Sequence, residues 1–286
     1  YVRQADMFVP LQLKADAYRA GTRLATYFSD VIVPGKGYNT AYPKKPVLLS
    51  LGSDFVTLAE MAGYEYRIGD SPWQASPYFT GLAPYTEYPV YSRMAETSMR
   101  YAGPASDPVW FKTEKCALSG SVAIAGQPYC GLTLTANTAG LVPANVPPEG
   151  LLYEWSADGV PVGTQSTYTV AATDAGKQIT LKVSGTGAYT GNLTSASVTA
   201  AKQPQQAPGA PELQSKTSAF IMLKTVAGCE YKVEGGQWQT SGVFGRFKAN
   251  TPYTFYARMA ETPTRGASEP GPPAVFKTDR IEATGS

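Results

Sequence analysis

The sequence predicts an all-β chain, elongated and built as a row of tandem β-sandwich modules. Three observations predict it. First, the stretch from Pro46 to Thr113 recurs without a gap from Pro211 to Thr278; Trp238 minus Trp73 and Tyr253 minus Tyr88 both give 165. Second, apolar and polar residues inside both copies alternate with period two, the mark of half-buried strands. Third, Gly (28) and Pro (23) in 286 residues exceed average usage of about 7% and 5%, as expected where many short strands need many turns. The hydrophobic fraction of 43%, with 12% aromatics, suffices for several small cores.

Residues 1–44 are read as the end of a preceding copy of the same module, followed by a linker. Either Tyr1-Val-Arg3-Gln-Ala5 echoes Tyr91-Ser-Arg93-Met-Ala95, or Leu13-Lys-Ala15-Asp16-Ala17 followed by Ala20-Gly21 echoes Met94-Ala95-Glu96-Thr97 followed by Ala102-Gly103. A helix is the competing reading, since Leu13, Ala17, Ala20, Leu24, Tyr27 and Val31 also fall at helical spacing. Pro34-Gly-Lys-Gly37 through Pro43-Lys-Lys-Pro46 reads as linker.

Residues 45–114 are the first full repeat. Tyr64, Tyr66 and Ile68 share one face of a strand, with Glu65 and Arg67 opposite. Tyr88, Val90, Ser92 and Met94 share the inner face of a second strand, with Tyr91 and Arg93 outward. Gly69-Asp-Ser-Pro72 is a turn. Trp73 just after it is expected to plug the core. Leu82-x-Pro84-x-Thr86-x-Tyr88 resembles the tyrosine-corner signature of fibronectin type III domains, in which a strand-starting tyrosine returns its hydroxyl to nearby backbone. Glu-Tyr-x-(Ile/Val), Trp-Gln and Tyr-x-x-Tyr-x-Arg-Met-Ala-Glu-Thr in both copies are similar to fibronectin-III-like repeats of large bacterial surface proteins. That resemblance covers 45–114 and 207–280 and makes 1–44 a partial preceding repeat.

Residues 115–202 differ in kind. They contain about seven short alternating segments, among them Leu118–Ile124, Leu132–Leu134, Leu151–Trp155, Tyr168–Val170 and Ile179–Val183. An inward Trp155 and Asp174-Ala-Gly176 ahead of Ile179-Thr-Leu181-Lys-Val183 resemble immunoglobulin-like domains of bacterial surface proteins. A hairpin is expected over Ala117–Gly126. It would put Cys130 near Ala123, some seven residues from Cys116 at about 3.3 Å each, beyond disulfide reach. Cys229 replaces Tyr64 on an inner face, as a small hydrophobe does. All three cysteines are therefore expected as free thiols.

Gln203–Pro211 reads as a Pro-rich, semi-stiff linker. Residues 207–280 are the second repeat. There Phe247 and Ala249 stand where Leu82 and Pro84 do, so the corner at Tyr253 is expected to be weaker.

The chemistry is thin. Histidine is absent, which removes Ser-His-Asp and Cys-His arrangements and the usual zinc sites. Asp and Glu sit on turns or alternate with Lys and Arg along strands, so no catalytic residue, cofactor or metal is expected and the protein is not read as an enzyme. Net charge of +2 argues against a nucleic-acid partner, and no run of about 20 apolar residues spans a membrane. The candidate ligand-binding residues are Tyr91, Arg93, Tyr256 and Arg258, a recurring outward pair that could stack on a sugar ring and bond its hydroxyls. The alternative pairs Arg93 with Glu65 and Arg258 with Glu230 across strands. The resemblances imply a non-catalytic extracellular segment, cell-surface or secreted, acting as stalk or adhesion array toward host or community glycans or surface proteins. A carbohydrate-binding accessory region of a secreted polysaccharide-degrading or adherence system is the second expectation. A filament subunit assembled by strand addition is the third.

Overall fold

A computed structural model describes residues 14–28 and 35–281. The described residues hold no α-helix, and they divide into two compact units. One reaches to Ala117 and includes Thr186–Thr190; the other comprises Leu118–Gly185 and Gly191 onward.

In the first unit, β1 (Lys14–Arg19) and β2 (Thr22–Phe28) form an antiparallel hairpin with a bulge at Ala17/Tyr18. Helical spacing over this stretch gives way to strand pairing because Ala20 and Gly21 both take positive φ, 49° and 81°, the requirement of a two-residue hairpin turn. The echo over Tyr1–Ala5 lies outside the described residues.

The first repeat is a sandwich of two three-stranded sheets. β3 (Leu48–Leu51), β4 (Phe55–Leu58) and β6 (Tyr78–Thr80) form one, in that order. β5 (Tyr64–Ile68), β7 (Glu87–Met94) and β8 (Val109–Lys112) form the other. Val56, Leu58, Tyr66, Phe79 and Val90 are the core between them. The period-two reading holds at the strand centres: Tyr66, Val90 and Ser92 are fully buried, while Glu65↔Arg93 and Arg67↔Tyr91 are outward-facing cross-strand pairs. β9 (Cys116–Ala117) pairs in parallel with β18 (Tyr189–Thr190), closing this unit.

In the second unit the middle module runs β10 (Ser119–Gly120), β11 (Ala123–Ala125), β12 (Thr133–Asn137), β13 (Leu141–Val142), β14 (Leu151–Ala157), β15 (Val160–Gly163), β16 (Thr167–Thr169), β17 (Gln178–Gly185), β19 (Asn192–Thr194) and β20 (Val198–Thr199). One sheet is β11-β12-β16; the larger is β15-β14-β17-β19, with β20 also on β17. The hairpin expected over Ala117–Gly126 does not form. β10 pairs with β13 and β11 with β12, so the chain switches partners between them. Gly120 makes the switch possible. Its φ is 89°, and a Cβ there would stand 2.1 Å from the Gly140 carbonyl oxygen. Cys130 bonds through its N–H to Ala201 O rather than lying opposite Ala123, and all three cysteines are unpaired thiols.

Trp155 is fully buried between the sheets, donates its indole N–H to Gln165 O at 2.8 Å and stacks on Tyr168 at 5.9 Å. The Tyr168 hydroxyl donates to Asp174. Asp174 is 2% exposed and also accepts from Ala171 N–H (3.1 Å) and Lys177 Nζ (3.2 Å). Burial alone would raise the Asp174 carboxyl; those three donors overcome it and hold the group below its ordinary value. Tyr168 is pushed up to about 12, first by burial and then by the bond to Asp174 and its charge.

The second repeat reproduces the first. β21 (Leu213–Lys216), β22 (Phe220–Leu223) and β24 (Val243–Gly245) form one sheet, and β23 (Cys229–Val233), β25 (Pro252–Met259) and β26 (Ala274–Lys277) the other. Both repeats thus have the two-sheet arrangement of a fibronectin type III-like sandwich. The tyrosine corner forms in both. Ala83 N–H donates to Tyr88 Oη and Lys248 N–H to Tyr253 Oη, each at 2.9 Å. The expected weakness of the second corner is corrected. Phe247 stacks on the Tyr253 ring at 4.0 Å, replacing the leucine with an aromatic contact, and the donor is a backbone N–H, which the changes at Phe247 and Ala249 leave in place.

The segments read as linkers are not free. Lys36 pairs with Glu96, and Lys202 with Glu261. Gly37 forms a parallel bridge with Arg100, and Gln203 with Arg265. Gly37 N–H donates to Met99 O and Gln203 N–H to Thr264 O, at 3.0 and 2.9 Å. In return Tyr101 N–H donates to Gly37 O and Gly266 N–H to Gln203 O, at 2.9 and 3.0 Å. Each repeat clasps the residues that lead into it. The clasp was hidden because its bonds are to backbone and its register differs from the repeat: Gln203 minus Gly37 is 166, whereas Arg265 minus Arg100 is 165.

Candidate functional site

The four outward residues singled out in the sequence do not stand alone. In the first repeat they belong to a stack on the outer face of β5 and β7. The Arg67 guanidinium lies 4.8 Å from the Tyr91 ring centre and 4.9 Å from Trp73. Arg93 lies 4.2 Å from the same Trp73 ring and donates through Nε to Glu65. The order is Tyr91, Arg67, Trp73, Arg93, Glu65. In the second repeat Lys232 lies 5.5 Å from Tyr256 and 4.8 Å from Trp238. Arg258 lies 4.4 Å from Trp238 and reaches Glu230 at 2.9 Å. Cations between aromatic faces are attracted by the ring quadrupoles.

The tryptophans arrive by loop geometry. Gln74 bridges back to Tyr66, with N–H···O distances of 2.7 and 2.9 Å, which folds the preceding turn over the strand and lays Trp73 across Arg67 and Arg93. Gln74 Nε2 then holds the following turn through Ser76 O and Tyr78 O, both at 2.9 Å. Gln239 does the same with Ser241 O and Val243 O. The expectation of core plugs is therefore corrected. Trp73 and Trp238 are half-buried on the outer face and belong to neither core. Sequence reasoning missed their partnership with Arg67 and Lys232. The usable signal was the Trp-Gln pair itself, because a glutamine that ties its own loop down fixes where the neighbouring ring can lie.

The arrangement is chemically quiet. Tyr91, Arg93, Tyr256 and Arg258 are all half-buried; both arginines have a carboxylate partner and an aromatic face. Among the described residues no three His, Cys, Asp or Glu side chains converge as a metal site would require, and no helix is long and apolar enough to cross a membrane. A different aromatic group is open to solvent where the preceding segment meets the first repeat. Tyr38 (79% exposed) packs on Tyr101 at 5.5 Å, Lys36 lies 5.8 Å over Tyr101, and Tyr42 is 84% exposed.

No protein-family model matches the chain, and no curated protein matches it in sequence. Among solved structures it is similar to the chicken CNTN1 FN1–FN3 domains, at 16% identity and TM-score 0.28, covering 86% of this chain and 100% of that one.

Proposed function

We propose that this chain is a non-catalytic extracellular segment of a large bacterial surface protein, serving as a stalk or adhesion array. The observation that carries the reading is the duplicated clasp. Each sandwich arrives with its upstream residues fastened by the same ion pair and the same backbone bonds. A module that fixes its own approach suits a chain whose task is to hold something at a set place. The outward Arg93 and Arg258 support the same reading, because each is already paired with a carboxylate and an aromatic face within its repeat. Surface proteins or glycans of a host or community are the partners such an array would present itself to. The test is labelling of intact source cells with an antibody to the second repeat. Staining without permeabilisation is expected; staining only after lysis overturns the reading.

A carbohydrate-binding role is the second reading, and one observation favours it: the solvent-open Tyr38, Tyr42 and Tyr101 with Lys36 beside them. Flat exposed rings next to donors suit the apolar faces and hydroxyls of sugars.

A further inference from the structure

The two repeats differ most sharply at one place, and the difference opens a cavity. In the second repeat a cavity of about 370 Å³ is walled by Pro208, Pro211, Val226, Cys229, Tyr231 and Ala257. The Glu212–Lys224 ion pair, 2.8 Å, stands at its rim. Subtracting 165 gives the first repeat's residues at the same positions: Met61 for Val226, Tyr64 for Cys229, Ser92 for Ala257 and Lys44 for Gly209. Each of these four changes going to the second repeat removes volume, while Lys224 for Ala59 adds it at the rim.

In the first repeat the place is filled. Tyr64 packs on the core, and its hydroxyl accepts a hydrogen bond from Lys44 N–H at 3.3 Å. Ser92 Oγ ties the same segment down by donating to Lys44 O. In the second repeat the ring is gone, the Ser92 bond cannot form at Ala257, and Gly209 N–H, which replaces Lys44 N–H, has no protein partner among the described residues. The Cys229 thiol lies 3.7 Å from Met259 Sδ and also meets the Tyr231 hydroxyl. Burial pushes that thiol's pKa up, so it is a neutral wall. The wall joins these apolar side chains to the main chain of Gly209 and Ala210 and to Thr225, and its apolar part gains contacts when a matching ring enters.

We propose that this cavity is a binding site for a phenol ring, whose hydroxyl accepts from Gly209 N–H as the Tyr64 hydroxyl accepts from Lys44 N–H. The ring could be a free phenol or the tyrosine side chain of a partner, and the test separates them. The full chain, with Val226 and Ala257 methyls observed by NMR, is titrated with p-cresol, which is a tyrosine side chain without its backbone. Saturable shifts at both methyls are expected, with a dissociation constant on the order of 1 mM, as befits a fragment-sized ligand. Cys229→Tyr, which restores the first repeat's filling, weakens binding at least tenfold. Val226→Met, which copies Met61, weakens it several-fold and serves if Cys229→Tyr fails to fold. Shifts that do not saturate, or equal affinity in the variants, overturn the proposal. N-acetyltyrosinamide is titrated in parallel. Binding at the same methyls supports the site and identifies a tyrosine side chain as ligand; binding of p-cresol alone supports it and identifies a free phenol.

Discussion

Replacing Asp174 with alanine is expected to destabilise the middle module by about 3 kcal/mol, measured by denaturant unfolding. Asp174 is 2% exposed and accepts from a tyrosine hydroxyl, a backbone N–H and an ammonium. Removing it strands buried donors, and an unsatisfied buried donor costs roughly 1–3 kcal/mol. Lys177 can turn to water because its side chain is 39% exposed, so most of the loss lies with Tyr168 and Ala171. The pH dependence follows from the sign of each shift. The folded carboxyl titrates below its ordinary 3.8, so its contribution is present above that value and is lost as pH falls through the folded pKa. Tyr168 is raised from 10.0 to about 12; its contribution is complete below pH 10 and lost as pH rises through about 12. Asp174→Asn should flatten the acid limb of the stability profile. An unchanged acid limb would show that other carboxylates carry it.

The second large effect is at the tryptophans. Trp73→Ala is expected to cost about 2–3 kcal/mol and Trp238→Ala a similar amount, from lost half-buried ring area and two cation contacts of roughly 0.5–1 kcal/mol each. Tyr91→Ala and Tyr256→Ala, at the end of each stack with one cation apiece, should cost about 1 kcal/mol. Arg67→Lys should be close to neutral, because the second repeat already places Lys232 there. Equal losses for Trp and Tyr would show that the stack is not cooperative in the way its geometry implies.

Much of the architecture was legible in the residues. Period-two alternation placed Tyr66, Val90, Tyr231 and Phe255 inside, and all four are buried. It also placed Glu65 opposite Arg93 and Glu230 opposite Arg258, as the strand register has them. What failed shares one physical cause: the missing information was carried by backbone. The clasp bonds at Gly37 and Gln203 are main-chain bonds that any residue but proline could make. The partner switch at Gly120 depends on a positive φ. Trp73 lies outside the core because a Gln74–Tyr66 bridge folds its loop outward, and no periodicity reports on a loop. The cavity beside Cys229 could have been read from the repeats alone, since four matched positions shrink together.

The most direct test of the account is a glycan array probed with the wild-type chain. A stalk whose Arg93 and Arg258 are already paired with carboxylates and tryptophan rings predicts no saturable binding to any glycan. Saturable binding that disappears in a Tyr38→Ala/Tyr101→Ala variant, or in Tyr91→Ala/Tyr256→Ala, would contradict it and make the chain a carbohydrate-recognition segment with its site on those rings.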